Sequence, residues 1–566
     1  MQRRWQQRPL VGDPTALSRE LGIPALLATH LCLRGLTDPG EAERFLDPRL
    51  GHMLDPKLMA GMDKAVERLV RAVRNKERVA LYGDYDVDGV TSTTLMTLVL
   101  RRFGLDPIQH IPHRIRDGYG LNHNAVRLLK ERGASLIVTL DCGVTAVEEV
   151  KAAVDLGVDV IVVDHHTVPV TLPPAVAVLN PHRPDCAFPF KQLCAVGVAF
   201  YVCVALRTAL RAAGLAGPDG GPDLRDYLDL VALGTVADLV PLRGENRMLV
   251  AHGLRILAQA RRHGIAALLD VSRIRREDVD AGSVAFQLGP RINAAGRLQD
   301  AMVGVQCLLA EDRLTADRLA TQLDAENRAR RAEQQRVIDE ALTRVADEPI
   351  HHDARALVLY DEGWHPGVVG IAAQKMVEQF HRPSVLIGAG GIGSGRSIEA
   401  FHLHQALAKT GEHLRGFGGH AHAAGLRIAA QNVDAFRRAL YQHASEVLKP
   451  EDLTPAAHHD GPLSAEHLTD DTVDTLQRAA PFGRGNAEPC FLLTGLPVAQ
   501  TRVVGKDHLQ LEFTRNLRGI AFRMAERAEE LRGPVEFLAT PEHNTWRGVR
   551  RLNVRVRDFR PVGVPA

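Results

Sequence analysis

Between residue 76 and about residue 169, apolar and polar positions follow two alternating rhythms. The runs "RVALYG", "SLIVTLD" and "DVIVVDHH" are short, continuous and rich in β-branched residues, as expected of strands covered on both faces. Between them, "GVTSTTLMTLVLRRFG" and "AVEEVKAAVDLG" carry apolar residues at helical spacing. Strand–helix–strand alternation predicts an α/β fold with a parallel, doubly wound sheet, assigned here to residues 66–311. Residues 1–65 read as a mostly helical segment broken by Pro and Gly.

The rhythm then changes. Residues 312–347 hold no Gly or Pro and are dense in helix formers, which predicts one helix of roughly 50 Å at 1.5 Å per residue. Such a helix is expected to connect two lobes; the alternative is a long surface helix within one domain. Beyond it, "RALVLYDEG", "PSVLIGAGGIGSGRS" and "AGLRIAA" suggest a second α/β lobe over residues 348–450. "PEDLTPAAHHDG" reads as a linker. Residues 456–566 are strand-rich, and a small β-barrel is the expected form.

Composition adds exclusions. The chain has 566 residues, 45% hydrophobic and 24% charged, which suits several globular domains. Its formal net charge is +1, so nucleic-acid affinity must come from local patches. Seven cysteines without C-x-x-C spacing argue against a disulfide framework or zinc ribbon and lead to the expectation of a reducing cytoplasm. The basic start lacks a signal-peptide core, and no uncharged run is long enough to span a bilayer, so no membrane association is expected.

The candidate chemistry begins at "LYGDYDVDGV", where Asp84, Asp86 and Asp88 crowd before a glycine. An EF-hand loop is excluded: its twelfth position would need Glu and holds Leu95, and a strand precedes it where a helix is required. In α/β sheets ligands sit beyond the carboxyl ends of the strands. Three predicted strands deliver Asp84, Asp86 and Asp88, then Asp141, then Asp164, His165 and His166 to that edge. Asp86 and Asp88 would point the same way in extended chain. Oxygen and imidazole donors without thiolates suit Mn²⁺ or Mg²⁺ better than zinc or iron. Two such ions roughly 4 Å apart can activate water and stabilise the leaving oxygen of a phosphodiester. Asp238, on the apolar stripe Leu224–Leu228–Val231–Thr235, is a further candidate; the alternative is a cap or hinge near Pro241. Asp84 reads as a metal ligand or, equally, as a turn residue or outer acid, and one of His165 and His166 reads as a ligand while its neighbour hydrogen-bonds nearby or meets substrate. Cys142 reads as a small buried residue. "GIGSGRS" is either a turn or, through Ser394, Arg396 and Ser397, a phosphate cradle.

"YDVDG", "DCG", "DHH" and "GTVADLVPL", in this order, resemble the four motifs of the DHH phosphoesterases. Longer strings, among them "IPHRIRDGYGLN", "GPRINAAGRL", "GSGRSIEAFHLHQAL", "FGGHAHAAG" and "PFGRGNAEP", are similar to the single-strand-specific 5′→3′ DNA exonucleases of that family. The resemblance runs from about residue 50 onward. It implies a centre of Asp86, Asp88, Asp141, His165 and Asp238, with Asp84 and His166 as ligands or neighbours and Asp164 orienting the histidine. It further implies that Arg114, Ser394, Arg396 and His420 meet DNA or its phosphates, and that Arg291 and Asn293 face the cleft. The C-terminal part resembles an OB-fold, a common single-strand binder. Two departures stand out: Ala195 where glycine is expected and His422 where methionine is usual, neither expected to touch a ligand.

The resemblance thus implies a two-metal exonuclease acting on single-stranded DNA in recombination and repair, as a monomer alongside a helicase and a single-strand binding protein. A smaller DHH phosphodiesterase of short or cyclic oligonucleotides and a noncatalytic replication scaffold are the rivals; length and barrel count against the first, intact acidic residues against the second. In "RGVRRLNVRVRDFR", six arginines and one aspartate, alternation would place Arg551, Asn553, Arg555 and Arg557 on a DNA-facing side of a strand. Leu552, Val554 and Val556 would face the core; the alternative is a solvated basic face.

Overall fold

Strand β1 (Val79–Gly83) is buried at all five positions, and period-two alternation decides which core each residue joins. Val79 and Leu81 pack with the helices Met62–Asn75, Val87–Arg102, Ala195–Ala212 and Leu228–Ala237. Ala80 and Tyr82 pack on the other side with His123–Glu131 and Val147–Asp155. With β2 (Ile108–His110), β3 (Leu136–Leu140), β4 (Asp159–Val163) and β5 (Ala177–Leu179), it forms a parallel sheet in the order β2-β1-β3-β4-β5. This is the doubly wound sheet expected. The molecule is described by a computed structural model covering residues 3–563, apart from 115, 119, 514–516 and 547–548.

The helix Ala195–Ala212 has a mean hydropathy of 1.5, apolar enough to cross a membrane by composition. It carries Arg207 and Arg211, and its Ala195–Cys203 stretch is buried in the core beside the sheet. Its apolarity is that of a core helix.

The Gly- and Pro-free segment forms a single 35-residue helix, Arg313–Asp347. The chain divides into two units whose boundary falls within this helix, at Asn327 and Arg328. The first unit joins Arg8–Asn327 to Asp460–Val562; the second is built on Arg328–His459. In the second, β6 (Leu357–Tyr360), β7 (Ser384–Ile387), β8 (Ile392–Arg396), β9 (Leu414–Gly419) and β10 (Ala423–Ile428) form a sheet in the order β9-β10-β8-β7-β6. The helix Pro366–Phe380 packs mainly on one of its faces and Leu403–Lys409 and Val433–Val447 on the other. The expected linker is structured here: Ala456–His459 pairs in parallel with Arg4–Gln7. Neither strand has a local partner, so nothing in the neighbouring sequence announces the pairing.

The C-terminal segment forms a seven-stranded sheet from β11 (Pro462–Leu463), β12 (Phe491–Leu493), β13 (Val498–Val504), β14 (His508–Phe513), β15 (Arg518–Ala521), β16 (Val535–Trp546) and β17 (Val549–Pro561). The order is β11-β12-β16-β17-β15-β14-β13. Among the described residues β11 and β13 are not paired, so the sheet is not shown as a closed barrel.

The basic strand departs from expectation. Val554 and Val556 are buried as predicted, but so is Asn553. Arg555 bonds Glu488 at 2.8 Å and pairs with Glu542 at 3.0 Å, and Arg557 also bonds Glu488. Arg550 pairs with Asp474 and Arg560 with Glu536. A register shift opposite Arg557 breaks the alternation, and acids distant in sequence neutralise most of the row. Arg551 remains exposed; Arg547 of that stretch lies outside the described residues.

Candidate metal centre

Asp84 follows β1 directly and is held by its N–H to Leu140 O at 3.1 Å. Two residues on, Asp86 caps the helix Val87–Arg102: its Oδ1 accepts from the N–H groups of Asp88 (2.9 Å) and Gly89 (3.2 Å). Asp88 therefore lies in the first helical turn, and the two do not share a face of extended chain as expected. The cap turns the backbone between them. Gly89 permits this close return, since a Cβ there would lie 2.3 Å from Asp84 O.

Asp88 is buried, and both its oxygens are held by main chain. Oδ2 accepts from Ala195 N at 2.6 Å and Oδ1 from Val196 N at 2.8 Å, the first amides of the Ala195–Ala212 helix. A helix N-terminus suits a carboxylate through unsatisfied N–H groups and the macrodipole. Ala195 thus does touch a candidate ligand, through its backbone. The expectation failed because it weighed side chains only.

Asp141 ends β3 with φ +68, a left-handed conformation that aspartate tolerates better than most residues, and its N–H bonds Val163 O at 2.9 Å. Beyond β4, the buried Asp164 accepts from the N–H groups of Val144, His165 and His166 and is 2.7 Å from His166 Nδ1. The histidine it orients is His166. His165 points its Nε2 into the acids, 3.2 Å from Asp141 Oδ1, 3.7 Å from Asp238 Oδ2 and 3.8 Å from Asp88 Oδ2. Asp238, at the end of the helix Leu228–Ala237, completes the ring.

Three overlapping donor sets come within 4.8 Å: Asp84, Asp86 and Asp141; Asp88, His165 and Asp238; and Asp141, His165 and His166. Burial, reinforced by the neighbouring acids, raises the Asp84, Asp141 and Asp238 carboxyls well above their ordinary range and Asp88 to about 7. Burial also lowers His165 to about 4. His166 moves the other way: burial opposes its charge, but its hydrogen bond and attraction to Asp164 push it up to about 9. The buried Asp84 Oδ1 and His165 Nε2 make no hydrogen bond among the described residues. Crowded acids, a neutral imidazole and unsatisfied donor atoms fit a divalent cation, and their oxygen–nitrogen chemistry suits Mn²⁺ or Mg²⁺.

A stability prediction follows for the metal-free protein. These carboxyls have folded pKa values above their unfolded ones, so the folded state binds more protons. Their contribution is present below the unfolded pKa and is lost as pH rises through the raised folded values, about 7 for Asp88. Chelated protein is expected to melt lower at pH 8 than at pH 6, and Mn²⁺ to raise the melting temperature more at pH 8. Equal metal-induced shifts at both pH values would contradict this.

A cavity of about 340 Å³ adjoins the acids, lined also by Tyr85, Arg114, His166, Asn293 and Arg297. The Arg114 guanidinium lies 4.7 Å above the Tyr85 ring, and Asn293 Oδ1 accepts from Val87 N at 3.1 Å. Arg291 does not line the cavity; it bonds Asp324 at 3.0 Å and the Gln287 carbonyl. Arg297 was missed in its place. Asn293 and Arg297 stand four apart on the helix Gly289–Leu298, hence on one face, and that spacing was the available signal. Gly296 lets this helix approach, since a Cβ would meet Tyr85 O at 2.3 Å.

In the second unit, Arg396 bonds Ser394 Oγ at 3.1 Å, close beside Gly370 of the helix Pro366–Phe380. Ser397 Oγ is committed to Phe401 O at 2.7 Å, and its N–H to His422 O. His420 is exposed at the turn between β9 and β10, where its N–H bonds Ala423 O.

Comparison with known proteins identifies three family matches: "DHH family, N-terminal domain" over residues 78–235, "DHHA1 domain" over 353–446 and "RecJ OB domain" over 459–558. The single-stranded-DNA-specific exonuclease RecJ of Dickeya dadantii is 40% identical over 566 residues, covering 95% of this chain and 96% of its own. That of Bacillus subtilis is 36% identical over 98% of this chain and 70% of its own. The crystal structure of Thermus thermophilus RecJ with Mn²⁺ matches with a TM-score of 0.85 at 30% identity, covering 99% of this chain and 80% of that one; its Mg²⁺ complex gives 0.79. With its doubly wound sheet, its ring of buried acids and these full-length relatives, the chain belongs to the RecJ family of the DHH phosphoesterases.

Proposed function

We propose that the protein hydrolyses phosphodiester bonds of single-stranded DNA from the 5′ end, in recombination and repair. The observation that carries this reading is the gathering of Asp84, Asp86 and Asp141 in one donor set and of Asp88, His165 and Asp238 in another, bridged by Asp141 and His165. Asp84, Asp86 and Asp141 would hold one divalent ion and Asp88, His165 and Asp238 a second, with Asp141 within reach of both. Bound there, Mn²⁺ or Mg²⁺ would supply Lewis-acid activation of water and stabilise the departing oxygen.

The chain's own groups do the rest. The Ala195 and Val196 amides fix Asp88 before any ion arrives, and Asp164 fixes His166. His166, kept protonated, would donate its remaining ring N–H to the substrate phosphate. Arg114, Asn293 and Arg297 would orient DNA at the cavity; in the second unit, Ser394 and Arg396 would bind a phosphate. Ser397 and Arg291 would support these groups from behind.

By domain, residues 1–65 would be an N-terminal helical segment, 66–311 catalytic, 312–347 connecting, 348–450 substrate-binding and 456–566 an OB-type single-strand binder. A monomeric cytoplasmic enzyme supplied with unwound strand by a helicase, alongside a single-strand binding protein, suits this specificity. The test is end-labelled DNA with Mn²⁺ or Mg²⁺ and then chelator. Mononucleotides released from the 5′ end of single strands, and none with chelator, are expected. Metal-independent release, or equal cleavage of duplex, would refute it.

A further inference from the structure

Among the candidate ligands, Asp238 alone lies at the C-terminal end of a helix. The residue after it, Leu239, has φ +60, a conformation disfavoured for leucine that persists only where neighbours impose it. Its own side chain cannot impose it, being 56% exposed. The restraint comes from a turn of the C-terminal segment, in "PFGRGNAEP". Arg484 donates a side-chain N–H to Leu239 O at 3.2 Å, and its own carbonyl accepts from Leu242 N at 2.8 Å. The Arg243 side chain reaches Gly485 O at 2.9 Å.

The two loops lie almost backbone to backbone. A Cβ at Gly483 would lie 2.7 Å from the Leu242 side chain, and one at Gly485 2.9 Å from Pro241. The turn is itself anchored from behind. Gly483 and Asn486 close it with paired main-chain hydrogen bonds, and the buried Asn486 side chain binds the carbonyls of Ala479 and Pro481. The buried Arg247 binds the carbonyls of Phe45, Ala480 and Pro481. A main-chain element fixed on one side and hydrogen-bonded to the Asp238 loop on the other is a brace.

We propose that the 483–486 turn of the OB-type domain holds Asp238 in its ligating position, with Arg484 as the positioning residue. The C-terminal domain then helps to complete the metal centre, beyond any role in gripping DNA. The inference rests on the metal-centre reading above. It is tested by calorimetric titration of the full chain with Mn²⁺, with no DNA present, in wild type, Arg484→Ala and Arg484→Lys. Arg484 is exposed, so neither substitution empties a core.

Arg484→Ala is expected to bind Mn²⁺ about tenfold more weakly, the lower end of what supporting contacts contribute to metal sites, at an unchanged melting temperature. Arg484→Lys, which keeps a cationic donor for Leu239 O, is expected to recover most of the affinity. Wild-type affinity in Arg484→Ala, or equal losses in both variants, would overturn the brace. Failure of the wild type itself to bind Mn²⁺ would instead overturn the metal-centre reading.

Discussion

An Asp141→Asn protein is expected to fold, to melt without metal at least as high as wild type, and to degrade single-stranded DNA at least about a thousandfold more slowly. Asparagine keeps the size of the side chain and tolerates the left-handed backbone at φ +68, so the end of β3 is preserved. What disappears is one negative charge from a buried cluster in which Asp86 and Asp88 already oppose its ionisation. Without an ion, that loss relieves repulsion; with one, it removes a donor shared by both proposed sites. The outcome is checked by thermal melts of chelated protein beside turnover in Mn²⁺. Near-normal turnover in a folded Asp141→Asn protein would sink the assignment of the centre.

Arg114→Ala and Arg396→Ala are each expected to lower kcat/KM by about 10- to 100-fold, the loss of a charged hydrogen bond to phosphate, while leaving Mn²⁺ affinity intact. Arg114 is held above the Tyr85 ring and Arg396 beside Ser394. A guanidinium has no acceptor to offer a cation, so neither arginine is a metal ligand. Rates on 5′-phosphorylated and 5′-hydroxyl strands separate end recognition from general grip. Variants that keep the full wild-type preference between those ends would show that these arginines do not read it.

The part of the site legible in sequence is the part written in strands. Apolar runs buried on both faces mark where β1, β3 and β4 stop, and Asp84, Asp141 and Asp164 emerge at those stops. Sequence separation hid the rest. Asp88 is held by amides more than a hundred positions later, and no local pattern points there. In "GPRINAAGR" both arginines have the right chemistry, and only helical phase distinguishes cavity-lining Arg297 from Arg291, which bonds Asp324. The arginines of β17 looked free because Glu488, which binds Arg555 and Arg557, lies outside the strand pattern. Alternation tells which way a residue points and not what awaits it.

The grip on Asp88 has an evolutionary consequence. A carboxylate held by peptide N–H groups is indifferent to the side chains borne by those peptides, so glycine and alanine can exchange at position 195 without the centre registering the change. What limits these positions is the packing of their own side chains in the core, so sequence drift there reports on that packing and not on the grip on the acid. Proline is the exception. Ala195 is the first residue of its helix, the place helices most readily accept proline, yet proline has no N–H to offer Asp88. The substitution most acceptable to the helix is the one this acid cannot tolerate.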